Sequence, residues 1–312
     1  MADGRQVVEI GGRRLTVSNL AKILWPEDGY TKGNLIDFYQ RVAPYLLPHL
    51  QGRPLVVTRY PDGIYGESFY QKDLPAHAPP WVKVFPHQGE ERLIHYVLCE
   101  DAATLAWLSN QACVELHPWL SRASNPGCPD LAVFDIDPAT PATYRHVVEV
   151  ALLIKEALAR LGLNVYPKTS GATGLHLYLP IKPEYPYSVV RRFVEEVARL
   201  LYRVHPRRIT LERQVNKRAG KVYIDYLQNV RGKTLAAPYS LRPLPGAPVS
   251  TPLVWAEVEK FEPANFTIAT VPGRLERTGD LIEPVLTNRQ ELSPALAALK
   301  IKPYTVNRKD QR

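Results

Sequence analysis

The sequence is poor in cysteine and has no long hydrophobic run. Its three cysteines stand far apart among 312 residues, and none belongs to a C-x-x-C pair. This spacing argues against a disulfide framework and a structural zinc site, and it suits a reducing compartment. No apolar stretch approaches a membrane span, and the polar N-terminus lacks the pattern of a signal peptide. We therefore expect a cytoplasmic protein with no membrane partner.

Acidic residues are outnumbered by basic ones. The chain has 39 Lys and Arg against 31 Asp and Glu, a net charge of +8, and a basic protein often binds a polyanion. Between Arg191 and Lys233, twelve basic residues are opposed by only four acidic ones. The basic residues from Arg191 to Arg203 share a helical pattern with acidic residues, which is typical of the solvated face of a helix. The loop from Arg207 to Lys221 has the composition of a phosphate-contacting segment.

Helical and extended patterns are interspersed along the chain. Thr31 and Asp101 are expected N-cap residues. The patterns predict helices over 18–24, 34–47, 102–111, 143–161 and 188–202, and strands over 55–58, 94–98, 131–136, 163–167, 175–179 and 222–226. This mixture indicates an α/β or α+β fold. Residues 291–312 are expected to form a C-terminal helix and a basic tail.

Two aspartates stand two residues apart at the end of one predicted strand. Asp135 and Asp137 follow the apolar run from Leu131 and precede Pro138. Alternate residues of a strand share a face, so the two carboxylates would lie roughly 6.5 Å apart along the strand. Such a pair suits Mg²⁺ or Mn²⁺, which prefer hard oxygen ligands. Capping of the helix after Pro138 is an equally good explanation of the spacing alone.

Two further motifs lie between and within later strands. The turn S-G-A-T-G-L-H over residues 170–176 can direct backbone N–H groups and the Ser170 hydroxyl towards a phosphate, with His176 beginning the next strand. By itself it is better explained as a tight glycine turn beside a core histidine, and it lacks the lysine of a Walker A loop. Asp225 is a lone acid in the run VYIDY. It is either a solvent-facing strand residue or a third metal ligand, since a buried carboxylate needs a partner.

The combination of these motifs resembles a known family. D-x-D, then S-G-x-x-G-x-H, then a strand aspartate in VYIDYLQN, is similar to the archaeo-eukaryotic primase superfamily. More narrowly, the chain resembles the polymerase domain of bacterial DNA ligase D, from about residue 19 to about residue 243. The segments NLAKILWPEDGYTKGNLIDFYQ, TRYPDGIYGESFYQKDLP, LAWLSNQACVELHPW and KTLAAPYSLRP carry that narrower likeness.

The resemblance implies a primase-polymerase-like fold, with central β-sheets around a catalytic cleft flanked by helices. Residues 1–290 would form one catalytic domain, whose first 60 residues carry a 5′-phosphate-binding region. Two ions, Mn²⁺ or Mg²⁺, would be held by Asp135, Asp137 and Asp225. The incoming nucleotide would contact Ser170, His176, His117, Arg242 and Arg59. The DNA 5′-phosphate would be bound by Lys22 and Lys32, the template would stack on Phe69 and Tyr70, and the loop that couples primer binding to the active site would contain Lys217 and Arg218.

Simpler explanations remain open for several of these residues. Lys22 would also suit a solvated helix residue and Lys32 a first-turn charge. Phe69 with Tyr70 would also suit packing under a loop, and His117 a structural cap.

One departure from the family pattern concerns the triphosphate. Many relatives carry a basic residue where this chain has Thr173. The nucleotide triphosphate would therefore be bound more weakly unless Arg59, Lys168 or Arg242 compensates. The cysteine cluster of some replicative primases is also missing, which argues against a replicative primase.

The expected activity is that of a nucleotidyltransferase in the bacterial nucleoid. It would fill short gaps and extend primers at DNA breaks or 3′ overhangs in end joining, with a preference for ribonucleotides. A Ku-like protein and an ATP-dependent DNA ligase are the partners that the resemblance implies, and the chain would be free-standing or part of a larger ligase. A primer-independent primase in excision repair, a non-catalytic end-bridging module and a metal-dependent nuclease are the alternatives.

Overall fold

The computed structural model describes residues 4–89 and 91–302. Its strands are β1 (Gln6–Ile10), β2 (Arg13–Val17), β3 (Ile23–Trp25), β4 (Tyr30–Thr31), β5 (Pro54–Arg59), β6 (Phe69–Gln71), β7 (Lys83–Gln88), β8 (Leu93–Leu98), β9 (Cys113–Pro118), β10 (Leu131–Pro138), β11 (Tyr166–Thr169), β12 (Leu175–Pro180), β13 (Ile209–Thr210) and β14 (Val222–Asp225). Its α-helices are α1 (Lys32–Leu50), α2 (Ala102–Asn110), α3 (Tyr144–Arg160), α4 (Tyr187–Val204), α5 (Val271–Thr278), α6 (Pro284–Thr287) and α7 (Ser293–Ala298). The mixed class predicted from the sequence is confirmed.

The backbone divides into two compact units. The first contains Met1–Trp119, Leu235–Thr251 and Ala264–Asp280, and the second contains Leu120–Thr234, Pro252–Pro263 and Leu281–Arg312. A single catalytic domain over residues 1–290 stays a prediction. Helix α7 lies within the predicted C-terminal segment, and residues 303–312 of the predicted basic tail lie outside the described residues.

The first unit is built around β5. This strand pairs with β9 along one edge and with β8 and β6 along the other, all antiparallel. Helix α1 begins directly after the predicted cap Thr31, two residues before the predicted start, because Thr31 and Asn34 cap it reciprocally. The Asn34 N–H donates to Thr31 Oγ1 at 3.3 Å, and the Thr31 N–H donates to Asn34 Oδ1 at 2.8 Å. Apolar residues at helical spacing then bury one face of α1, including Leu35, Phe38 and Val42.

The predicted helix over residues 18–24 is wrong. Asn19 has a φ of 53°, and the Lys22 N–H donates to its carbonyl at 3.0 Å in a turn. The chain then enters β3, which pairs with β4, and Leu24 and Trp25 are fully buried there. Burial of these adjacent side chains in tertiary contacts outweighs the weak helical pattern.

The second unit is built around β10. The sheet order is β11-β12-β10-β14-β13, antiparallel except for the β13–β14 pair. Helices α3 and α4 contact β10 and each other. Strand β10 is therefore the centre of the sheet, and its residues 131–136 are buried. The middle of such a sheet holds side chains rigidly, which is what a catalytic or metal-binding group requires.

Candidate active site

The aspartates of the D-x-D motif lie at the centre of the second unit's sheet. Asp135 pairs with Asp225 of β14 on one side and with His176 of β12 on the other, and Asp137 follows two residues later. The alternative that the two acids cap the next helix is wrong, because Thr143 is the N-cap of α3. Strand pairing thus brings together residues that are far apart in the sequence.

Burial and mutual repulsion disfavour the charged form of Asp135. Its side chain is only 9% exposed. Burial, followed by the charges of Asp137 and Asp225, raises its pKa well above the ordinary value, against the opposing effect of Lys168. A nearby cation would stabilise the charged form of such a carboxylate.

Gln228 connects two of the three aspartates. Its Nε2 lies 3.3 Å from Asp135 Oδ2 and 3.4 Å from Asp225 Oδ2. The Leu227 N–H donates to Asp225 Oδ1 at 2.9 Å, which starts a short 3₁₀ helix over Tyr226–Gln228. Gln228 was not among the residues predicted from the sequence. Its position three residues after Asp225, at the exit from the strand, is the only signal that the sequence offers.

The donor set fits a divalent cation by its chemistry. Asp135, Asp137 and Asp225 supply only hard carboxylate oxygens, which Mg²⁺ and Mn²⁺ prefer. Among the described residues, no three His, Cys, Asp or Glu side chains are already gathered as a complete ligand set. The carboxylates would therefore have to turn about their side-chain torsions to hold an ion together.

The Ser-Gly turn between β11 and β12 approaches β10 closely. A Cβ on Gly174 would lie 2.3 Å from the Ile136 carbonyl oxygen and 2.8 Å from Asp137 Oδ1, so only glycine fits there. The Ser170 hydroxyl oxygen accepts the N–H groups of Ala172 at 3.1 Å and Gly174 at 3.0 Å. These N–H groups are thus occupied by the turn itself, whereas the Ser170 hydroxyl proton is left to donate. Thr173, at the position of the missing cation, is exposed.

A buried lysine lies behind His176. Lys168 is fully buried, and its Nζ is 2.8 Å from His176 Nδ1. Because an ammonium group only donates, Nδ1 accepts and Nε2 carries the proton. That Nε2 is 3.3 Å from Asp135 Oδ1. His176 thus connects the Lys168 ammonium group to Asp135.

The predicted loop residues Lys217 and Arg218 are adjacent in the sequence but have different surroundings. Lys217 ends the 3₁₀ helix Val215–Lys217 and is exposed. Arg218 stacks on Tyr223, with its guanidinium carbon 3.6 Å from the ring centroid. Its guanidinium also donates to the carbonyls of Glu212 at 2.8 Å and Arg213 at 2.7 Å. Arg218 therefore fastens the loop to β14.

In the first unit, Arg242 and His117 gather around a buried acid that the sequence analysis missed. Arg242 Nε is 3.1 Å from Glu115 Oε1, and His117 Nε2 is 3.7 Å from Glu115 Oε2. Tyr60 also donates to Oε2 at 3.2 Å. Burial acts to raise the pKa of Glu115, but the neighbouring His117 and Arg242 outweigh it and hold the pKa below its ordinary value. The only sequence signal for Glu115 was its place two residues before His117.

Arg59 is committed to structural contacts. Its Nε donates to the Gln111 carbonyl at 2.9 Å, and Nη1 donates to Gln71 Oε1 at 3.1 Å. A guanidinium group has five N–H donors, so Arg59 can keep both bonds and still donate to a nucleotide.

The two lysines predicted to bind a 5′-phosphate have different surroundings. Lys32 is buried, and its Nζ donates to the Asn110 carbonyl at 3.1 Å and to Ser18 Oγ at 3.4 Å. Burial, and then the charge of Lys22, lowers the pKa of Lys32. Lys22 is exposed and pairs with Asp62 at 2.7 Å. The lysines are close enough to repel each other, which is what a shared anion would relieve.

Phe69 and Tyr70 are adjacent on strand β6. They are 45% and 55% exposed, so the alternative of packing under a loop is wrong. Lys72 Nζ lies 5.9 Å from the Tyr70 ring centroid. Adjacent side chains of a strand point to opposite faces, so the two rings are separate exposed surfaces, and a nucleobase can stack on either of them.

A mixed α/β fold with three aspartates on adjoining strands, beside a glycine turn, is the arrangement expected of a nucleotidyltransferase of the primase-polymerase class. Comparison with known proteins agrees with this class. A family model described as "LigD, primase-polymerase domain" matches residues 31–282. The chain belongs to this family.

Named relatives and a solved structure extend the match. The chain is 37% identical to "Bifunctional non-homologous end joining protein LigD" of Bacillus subtilis (strain 168), over 93% of this chain and 47% of the relative. It is 35% identical to the multifunctional LigD of Mycobacterium tuberculosis H37Rv, over 87% of this chain and 37% of the relative. The structure titled "Polymerase Domain from Mycobacterium tuberculosis Ligase D in complex with DNA" is similar, with a TM-score of 0.84 and 34% identity over 89% of this chain and 99% of that chain. The chain thus spans about half or less of these curated relatives' length.

Among the described residues, no helix has both the length and the apolar character needed to cross a membrane.

Proposed function

We propose that this chain extends primers and fills short gaps at DNA ends during non-homologous end joining. The observation that carries the proposal is the strand register that places Asp135 opposite Asp225, with Asp137 on the same strand. The names of the relatives and the DNA in the related structure support the substrate class. A Ku-like protein and an ATP-dependent ligase are the proposed partners.

We assign the three aspartates to two divalent ions, Mn²⁺ or Mg²⁺. When bound, two such ions supply activation of the attacking hydroxyl and charge neutralisation at the leaving pyrophosphate. Gln228 would orient the carboxylates of Asp135 and Asp225, since it contacts both. The Lys168–His176 pair would add positive charge beside the nucleotide phosphates, which partly offsets the missing cation at Thr173.

The remaining roles are proposals for each residue in its own unit. Arg242 and His117 would contact the nucleotide, and Glu115 would hold both in place through the contacts described above. Lys22 and Lys32 would bind the 5′-phosphate beyond the gap. Phe69 and Tyr70 would stack on the template. A preference for ribonucleotides follows from the family resemblance.

Product analysis of primer extension tests the proposal. Wild-type protein with gapped DNA, nucleotide and Mn²⁺ should lengthen the primer and release pyrophosphate, whereas Asp135→Ala and Asp225→Ala should not. Asp37→Ala is the matched control, because Asp37 is an exposed aspartate of helix α1 to which no role is assigned. Undiminished extension by both aspartate variants would refute the proposal. Shortened DNA would indicate a nuclease. DNA binding without either product would indicate an end-bridging module, and synthesis without a primer would indicate a primase.

A further inference from the structure

A cleft in the second unit has no role in the reaction proposed above. It has a volume of about 280 Å³ and lies at the start of helix α4. Its walls include Gly127, Pro186, Ser188, Arg191, Val230 and Arg231. The cleft is thus small, partly apolar and lined by two arginines, and no acidic residue is among its lining residues.

The two arginines of this cleft are not neutralised by the protein. Among the described residues, Arg231 Nε is buried without a hydrogen-bond partner, and neither Arg231 nor Arg191 has an ion pair. Burying a guanidinium nitrogen in this way costs free energy unless a ligand supplies the acceptor. Arg199, two turns further along α4, is different, since its Nη2 lies 2.6 Å from Glu195 Oε1.

The wall that carries Arg231 is held rigidly. Asn229 is fully buried, and its side chain accepts the Val133 N–H at 2.8 Å and donates to the Val133 carbonyl at 2.8 Å. The residues that follow Asn229 are therefore anchored to β10. A backbone segment that is ordered before binding loses less entropy than a mobile segment does when its side chain binds a ligand.

The remaining lining favours a phosphate ester over a simple inorganic ion. Ser188, at the first turn of α4, provides a hydroxyl donor, and no side chain caps this helix end. Guanidinium groups recognise phosphate through paired N–H donors. Pro186 and Val230 give apolar surface for the sugar or base. The volume is at the small end of ligand sites, which are typically about 300–1,000 Å³.

We propose that this cleft is a second nucleotide-phosphate site, in which Arg191 and Arg231 bind the phosphate group of one nucleotide. The proposal goes beyond the function above and does not depend on it. The nucleotide is either free or the terminal unit of a strand, and the test separates these sources.

Binding of adenosine 5′-monophosphate in EDTA, measured by isothermal titration calorimetry, tests this proposal without metal at the aspartates. Wild type should bind it, and Arg191→Ala and Arg231→Ala should each bind at least about tenfold more weakly. Arg199→Ala, which removes the same charge from the same helix outside the cleft, should bind like wild type. Adenosine should not bind. Inorganic phosphate and a 5′-phosphorylated tetranucleotide are titrated in parallel. Tighter binding of the monophosphate identifies a free nucleotide as the ligand, and tighter binding of the tetranucleotide identifies the terminal unit of a strand.

Three results would overturn the proposal. They are absence of monophosphate binding, equal binding by both arginine variants and wild type, and binding that depends on Arg242 but not on Arg191 or Arg231. If Arg231→Ala does not fold, Arg231→Gln and Arg191→Ala decide. Loss of binding in these variants with normal primer extension would support the cleft independently of the proposed function.

Discussion

Replacing Asp135 with asparagine tests whether the three aspartates repel one another in the folded protein. Residues directly opposite in an antiparallel pair, such as Asp135 and Asp225, have Cβ atoms about 4.5–5.5 Å apart. Two like charges about 5 Å apart interact by about 3 kcal/mol at an effective dielectric constant of about 20. Asp225 is partly exposed, so solvent screens part of this. We expect Asp135→Asn to be more stable than wild type by roughly 1–2 kcal/mol near pH 8 in EDTA.

The pH dependence of this gain has a defined sign. The pKa of Asp135 is raised in the folded state, so the folded protein retains a proton that the unfolded chain releases. Wild type therefore loses stability as the pH rises above the unfolded value of about 3.9 towards the folded pKa, and the variant does not. The gain should be absent below about pH 4 and grow with pH. Urea unfolding in EDTA across this range measures it, and added Mn²⁺ should stabilise wild type more than the variant.

Asp130→Asn is the matched control. Asp130 is also a buried aspartate, but Arg122 Nε and Arg289 Nη2 lie 2.9 Å and 3.1 Å from its Oδ2. Its replacement leaves two guanidinium groups without their charge partner, so stability should fall by about 1–3 kcal/mol. If Asp135→Asn lost stability in the same way at every pH, the repulsion inferred at the aspartates would be refuted.

Three other substitutions have equally definite expectations. Gly174→Ala would place a Cβ 2.3 Å from a β10 carbonyl oxygen, so urea unfolding should show that the free energy of unfolding falls by more than about 2 kcal/mol. The control Gly127→Ala has open space around its Cβ and should be near neutral. Tyr39→Phe removes a hydroxyl that donates to a buried carbonyl at 2.6 Å and accepts a backbone N–H at 3.1 Å, and an unchanged unfolding free energy would contradict the expected loss of about 1–3 kcal/mol. Lys32→Ala should weaken binding of gapped DNA that carries a 5′-phosphate by about tenfold, with a smaller effect for Lys22→Ala. Equal weakening on a 5′-hydroxyl gap would show that Lys32 only supports the fold.

Features governed by local chemistry were predictable from the sequence. Thr31 and Asp101 cap α1 and α2 as expected, because a side-chain acceptor before an apolar-periodic segment acts within one turn. The alternation of a strand was enough to relate Asp135 to Asp137. The turn at 170–174 followed from its glycines.

Features that depend on tertiary pairing were not predictable in this way. The contact of Gln228 with Asp135 spans 93 residues, and Glu115 meets Arg242 only because the chain folds back onto β9. The residues around Leu24 form a strand whose side-chain burial, and whose hydrogen bond from the Ile64 N–H to the Leu24 carbonyl, come from tertiary structure. The register that opposes Asp135 and Asp225 is likewise a property of the sheet, and the sequence offered Asp225 as a third metal ligand only beside the alternative of a solvent-facing residue.

The most direct test of the proposed metal site is a titration of Mn²⁺ followed by electron paramagnetic resonance of the free ion. With nucleotide and primed DNA present, wild type should bind two Mn²⁺ more per chain than the double variant Asp135→Asn/Asp225→Asn does. Asp62→Asn should match wild type. Equal Mn²⁺ stoichiometry in wild type and the double variant would contradict the assignment of these aspartates as metal ligands.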